Sequence, residues 1–83
     1  MEYTTYILYS LSLDTFYVGS TQNIDARIKR HNLGHNKYTK TGIPWELVYS
    51  EEYETRSVAM IREKEIKAKK SRKYIEWLIS SVG

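Results

Sequence analysis

The sequence predicts an α+β fold with its elements in the order ββαβαα. Two observations carry this. An aromatic and β-branched run, Thr4-Thr5-Tyr6-Ile7-Leu8-Tyr9-Ser10, is followed after a short turn by a second extended segment, Phe16-Tyr17-Val18-Gly19, so the two pair as an antiparallel hairpin. Apolar residues then recur at helical spacing around one further strand.

Each element has its own signal. The first strand is apolar on both alternating faces and reads as covered on both sides. Leu11 to Thr15, with Ser12 and Asp14, is the turn. Ser20-Thr21-Gln22-Asn23 offers capping side chains for a helix from about Ile24 to Asn32. Gly34 to Pro44 is polar, basic and glycine-containing, hence a loop. Trp45 to Tyr53 is the third strand, centred on Leu47-Val48-Tyr49. Thr55 or Ser57 caps a long helix running to about Lys70, and Ser71 caps a last helix carrying Tyr74, Ile75, Leu78 and Ile79. No internal repeat, low-complexity tract or linker divides the chain, so residues 1–83 are read as one domain.

Composition narrows the chemistry. Of 83 residues 41% are hydrophobic, enough for a small core. The absence of cysteine excludes disulfides, zinc–thiolate sites and thiol catalysis. Two histidines, His31 and His35, are too few for most histidine-built metal sites. No apolar run approaches the ~20 residues of a membrane span and no secretory signal is visible, so the expected setting is the cytoplasm. The net charge of +3 is mild, but all thirteen basic residues fall in two blocks, Arg27 to Lys40 and Arg56 to Lys73. Such blocks attract phosphate.

Some polar residues sit against faces that should be apolar. Ile24 and Ile28 mark the inward face of the first helix, and Arg27 and His31 lie beside it. An arginine there snorkels outward or meets an anion. A histidine at such a boundary is most often simply hydrogen-bonded. In the long helix, Glu63 has Ala59 and Met60 one turn before and Ile66 almost one turn after. A carboxylate so placed needs a cation, hydrogen-bond donors or a metal ion, and Lys67 one turn on is the plain candidate. Tyr17 is followed two residues later by Gly19, whose missing side chain admits a close approach or merely marks a turn.

The pattern Tyr6…Tyr17-Val18-Gly19…Arg27…His31…Glu63 resembles the GIY-YIG nuclease superfamily, most closely its small single-domain members related to the N-terminal nuclease domain of UvrC. Arg30-His31-Asn32, Pro44-Trp45-Glu46-Leu47-Val48-Tyr49 and Arg62-Glu63-Lys64-Glu65-Ile66-Lys67 share in the likeness, which covers nearly the whole chain. It departs at Thr4-Thr5, where Gly-Ile would stand, and in lacking an asparagine that some members place after the glutamate. The resemblance implies a three-stranded antiparallel sheet flanked by helices, with the site on one face. It implies endonucleolytic hydrolysis of DNA with one Mg2+ or Mn2+ ion, in a repair or recombination setting. Glu63 would ligate the metal and Arg27 would hold the scissile phosphate. Tyr6 would act as general base or position the attacking water, Tyr17 would orient phosphate or water, and His31 would assist by hydrogen bonding or proton relay. A phenol with a pKa of ~10 is a poor base at neutral pH, so nearby cations are expected to lower that of Tyr6.

DNA contacts are expected at Arg27, Arg30, Lys37, Tyr38, Lys40, Lys67 and Lys70. With no room for a specificity domain, recognition of DNA structure or weak nicking is expected, unless a homodimer or partner protein supplies specificity. The alternative is a module on the same fold that binds DNA without cutting efficiently. A third reading is a protein-interaction domain using Trp45, Trp77 and exposed tyrosines.

Overall fold

The computed structural model describes residues 2–35 and 37–81. Strand β1 (Tyr3–Ser10) and strand β2 (Thr15–Thr21) form the hairpin, followed by helix α1 (Ile24–Asn32), a 3-10 turn at Lys40–Gly42, strand β3 (Trp45–Tyr53), and helices α2 (Arg56–Lys69) and α3 (Arg72–Ser81). The order is the expected ββαβαα. The sheet is β2-β1-β3, antiparallel throughout, with Tyr6 opposite Gly19 on one side and Ser50 on the other. β2 runs past the expected Gly19, because Ser20 and Thr21 continue the ladder opposite Thr5 and Thr4.

As the central strand, β1 is covered on both faces, and Tyr6, Ile7 and Leu8 are fully buried. Ile7 and Val18 pack with Ile66 of α2 and Leu78 of α3. On the opposite face Tyr6, Leu8 and Trp45 pack with Ile24 and Ile28 of α1. The molecule is therefore a sheet between α1 and the α2–α3 pair. Met60, expected on the inward stripe of α2, instead stands 40% exposed, because Ala59 is the residue turned onto β1, where its carbonyl accepts from Thr5 Oγ1 at 2.8 Å.

Local chemistry sets the boundaries. Asn23 Oδ1 accepts from the Ala26 amide at 3.1 Å and caps α1. The other end closes at Gly34, whose φ of 79° is left-handed, with the His35 amide returning to Arg30 O at 3.4 Å. Thr55, rather than Ser57, caps α2 through the Val58 amide at 3.3 Å. Ser71 accepts from the Tyr74 amide at 3.2 Å at the start of α3. Arg72 anchors α3 to the hairpin turn by reaching Asp14 Oδ1 at 2.7 Å.

Candidate active site

Tyr6 and Tyr17 project from β1 and β2 onto the α1 face. Gly19, directly opposite Tyr6, explains how the ring fits. A Cβ on residue 19 would lie 2.6 Å from Tyr6 Oη and 2.8 Å from its Cζ. The glycine is thus the floor on which the Tyr6 ring rests, as cross-strand aromatic–glycine pairs do elsewhere.

His31 closes over the two tyrosines. Its ring stands edge-on to Tyr17 with centroids 4.9 Å apart, and to Tyr6 at 6.3 Å. Nε2 lies 3.4 Å from Tyr6 Oη, and Nδ1 is 2.9 Å from Thr39 Oγ1. Burial, then the charges of Arg27 and Arg30, hold the imidazole below its ordinary pKa. A neutral ring donates from one nitrogen and accepts at the other, and the two contacts give each nitrogen a partner. Thr39 is fixed in turn by Trp45, whose Nε1 donates to the Thr39 carbonyl at 2.6 Å. Asn32 braces the same corner, accepting from the Trp45 amide at 2.6 Å and donating to its carbonyl at 3.1 Å.

Glu63 reaches the site from α2, on the other side of the sheet. Its carboxylate is 21% exposed. Ser20 of β2 donates to Oε1 at 2.7 Å, and Lys67 Nζ, half-exposed, lies 2.6 Å from Oε2. The lysine one turn on is therefore the carboxylate's partner, as helical spacing suggested. The tyrosines, Arg27 and His31 belong to the α1 face and Glu63 to the α2 face, so the group straddles edge strand β2 instead of lying on one face. The reason is alternation: Tyr17 and Gly19 point one way, Val18 and Ser20 the other.

Two clefts flank this group. The first, of about 420 Å3, is walled by Arg27 and Arg30 of α1 and Arg56 of α2, with Tyr3, Ser20, Asn23 and Met60 among the other lining residues. The second, of about 380 Å3, lies along β2 and is lined by Tyr17, Lys67, Lys70 and Arg72. Of the expected DNA contacts, Arg27 and Arg30 fall in the first cleft and Lys67 and Lys70 in the second. Lys37, Tyr38 and Lys40 stand exposed on the loop and line neither.

Tyr6 lies at the centre but is wholly covered. Burial raises its phenol well above the ordinary value, and Tyr17 and Glu63 add to the rise, while Arg27 opposes it. Within the folded chain Arg27 does lower it, but desolvation outweighs the one arginine and favours the protonated phenol.

Glu63 suits a hard divalent cation in one respect. It is a single, partly dehydrated carboxylate beside arginine-lined space, and magnesium commonly binds through one or two carboxylates plus water and substrate phosphate. Among the described residues no three His, Cys, Asp or Glu side chains converge, so any such ion would rely on those other oxygens.

Ser20, Thr39 and Arg56 carry no expected site role from sequence, and Trp45 was expected only at a protein-binding surface. Ser20 was expected only among the helix-capping residues, and its place on the Val18 face follows from the ladder continuing past Gly19. Thr39 was not legible, since nothing in a polar loop marks which hydroxyl turns inward. Trp45 is buried, which removes it from any exposed protein-binding surface. Trp77 stays 60% exposed and stacks on Tyr74 at 5.9 Å.

Residues 2–75 match the family model described as the GIY-YIG catalytic domain. The chain is similar to a UPF0213 protein of Natronomonas pharaonis, 41% identical over 68 residues that span 81% of this chain and 79% of that protein. It is similar also to a UPF0213 protein of Staphylococcus aureus, 48% identical over 54 residues, or 64% of this chain and 66% of that one. Among solved structures it resembles the solution NMR structure of the UPF0213 protein BH0048 from Bacillus halodurans, with a TM-score of 0.60 and 36% identity over 96% of this chain and 84% of that chain.

Proposed function

Because the chain belongs to the GIY-YIG domain family, we propose that it is a divalent-metal-dependent endonuclease that hydrolyses DNA phosphodiesters, selecting DNA structure more than sequence. The observation that carries the reading is Glu63. A carboxylate that is one-fifth exposed, held at both oxygens and joined through Ser20 to the arginine-lined cleft, is costly to keep unless it serves something.

Glu63 would hold the ion, with Ser20 fixing the carboxylate from below. Bound there, a divalent cation offsets charge on the phosphoryl oxygens and on the departing alkoxide. Arg27 supplies a planar fork for the scissile phosphate. Tyr17, which lines the second cleft, orients the phosphate or the attacking water with its hydroxyl. Tyr6, protonated and covered, serves as the positioning member, with neutral His31 and Thr39 fixing the direction of its hydroxyl. Repair or recombination is the setting that such chemistry suits.

Supercoiled plasmid with Mg2+ or Mn2+ tests this. Wild-type protein should nick it, and Glu63→Ala should nick at least about 100-fold more slowly. Equal rates would remove Glu63 from the mechanism. The second reading, a DNA-binding module that cuts poorly, draws on the Lys67–Glu63 pair and the covered Tyr6. Binding unchanged by EDTA, without cleavage of nicked, branched, flapped or single-stranded DNA, would favour it.

A further inference from the structure

Arg56 is the first residue of α2, a poor place for a cation. The amino end of a helix carries partial positive charge, and the first turn of α2 holds no acidic residue to offset it. The side chain is exposed and lines the first cleft with Arg27 and Arg30. Among the described residues, no carboxylate lies within 4.0 Å of any of these three arginines, whereas Arg62 and Arg72 both have such partners. Three arginines without a carboxylate partner thus line one concave space of about 420 Å3. Mutual repulsion opposes this arrangement, and an anion in the cleft relieves it.

We propose that this cleft is a second phosphate subsite, in which Arg30 and Arg56 take the backbone phosphate neighbouring the one that Arg27 presents to Glu63. It rests on the endonuclease reading and names how that site engages its substrate. Ser20 joins the two places, since it lines the cleft and bonds Glu63 at 2.7 Å. A strand held at two consecutive phosphates is fixed in direction as well as position, which one arginine alone cannot achieve. The second cleft is a weaker candidate for the same role: Lys67 is engaged by Glu63, and Arg72 by Asp14 and Glu76.

The test reads binding, so it stands apart from any failure to cut. In a Glu63→Gln background, the affinity for a fluorescein-labelled single-stranded oligonucleotide is measured across a salt series. Arg56→Gln should weaken binding about fivefold to tenfold near 0.1 M salt and lower the salt slope by about one phosphate contact. Lys64→Gln, an equal charge change on the same helix away from the cleft, should cost less than twofold. Arg56→Lys should keep the slope. Thermal melting confirms folding, and Arg56→Gln should not lower Tm. The oligonucleotide should also shift the Arg30 and Arg56 Nε–Hε NMR signals. If Arg56→Gln and Lys64→Gln lose affinity equally, or those signals do not move, the subsite is refuted. If inorganic phosphate binds the cleft as tightly as the oligonucleotide, the polynucleotide assignment is refuted in favour of a free-anion site.

Discussion

Ser20 Oγ donates to Glu63 Oε1 at 2.7 Å across 43 positions of sequence, and this contact ties edge strand β2 to helix α2. The carboxylate's direction is set by a strand hydroxyl and its charge by a helix lysine. Ser20→Ala should cost about 1.5–3 kcal/mol, as for a hydrogen bond to a charged group, seen as a lower urea midpoint. Nicking should fall more steeply than stability, because Glu63 is then free to rotate. A variant with unaltered nicking would show that the hydroxyl is dispensable for orientation.

Lys67 competes for the oxygen that a metal ion needs. Being half-exposed, the pair contributes little, so Lys67→Met should tighten Mn2+ binding roughly twofold to fivefold, measured by calorimetry without DNA. Weaker Mn2+ binding in the variant would contradict a cation site at Glu63.

Gly19→Ala places a methyl 2.6 Å from Tyr6 Oη, and Tyr6 is enclosed on every side. Overpacking of this kind costs about 1–3 kcal/mol. Chemical denaturation should show that loss, and near-ultraviolet dichroism from the Tyr6–Tyr17 pair should change with it.

His31 makes stability depend on pH. Its folded pKa lies below the ordinary 6.5, chiefly because the ring is buried. Below pH ~6.5 the unfolded chain therefore binds the proton more readily than the folded one. Stability is fully present above that pH and declines as pH falls from ~6.5 toward the folded value. His31→Gln should flatten the dependence in this window, measured as Tm at pH 7 and pH 5.5. An unchanged slope would assign it to other groups.

Lys70 ends α2 with φ of 47°, a left-handed conformation that suits glycine. Lys70→Gly should stabilise the protein by about 1 kcal/mol in urea titrations. The same change should weaken DNA binding if the second cleft contributes contacts.

Much of the fold was legible because its signals are local. Asn23, Thr55 and Ser71 advertise their helices, and a strand apolar on both faces can only be central. The Glu63–Lys67 pair followed from helical spacing. The Tyr6 phenol did not: sequence shows the arginine that lowers its pKa but not the depth of burial that overrides it. Arg56 was equally hidden. Inside a block of eight basic residues nothing distinguishes it, and only the docking of α1 and α2 on the two faces of the sheet brings it to the same cleft as Arg27 and Arg30.

The span between Ser20 and Glu63 also bears on biosynthesis. A chain made only as far as β3 already contains both tyrosines, Arg27 and His31, but not the carboxylate. Whatever the hairpin and α1 form on emerging from the ribosome, it lacks Glu63 until α2 is made and docked. On the endonuclease reading, a chain that stops before α2 therefore holds the tyrosines, Arg27 and His31 without the carboxylate that the proposal makes essential.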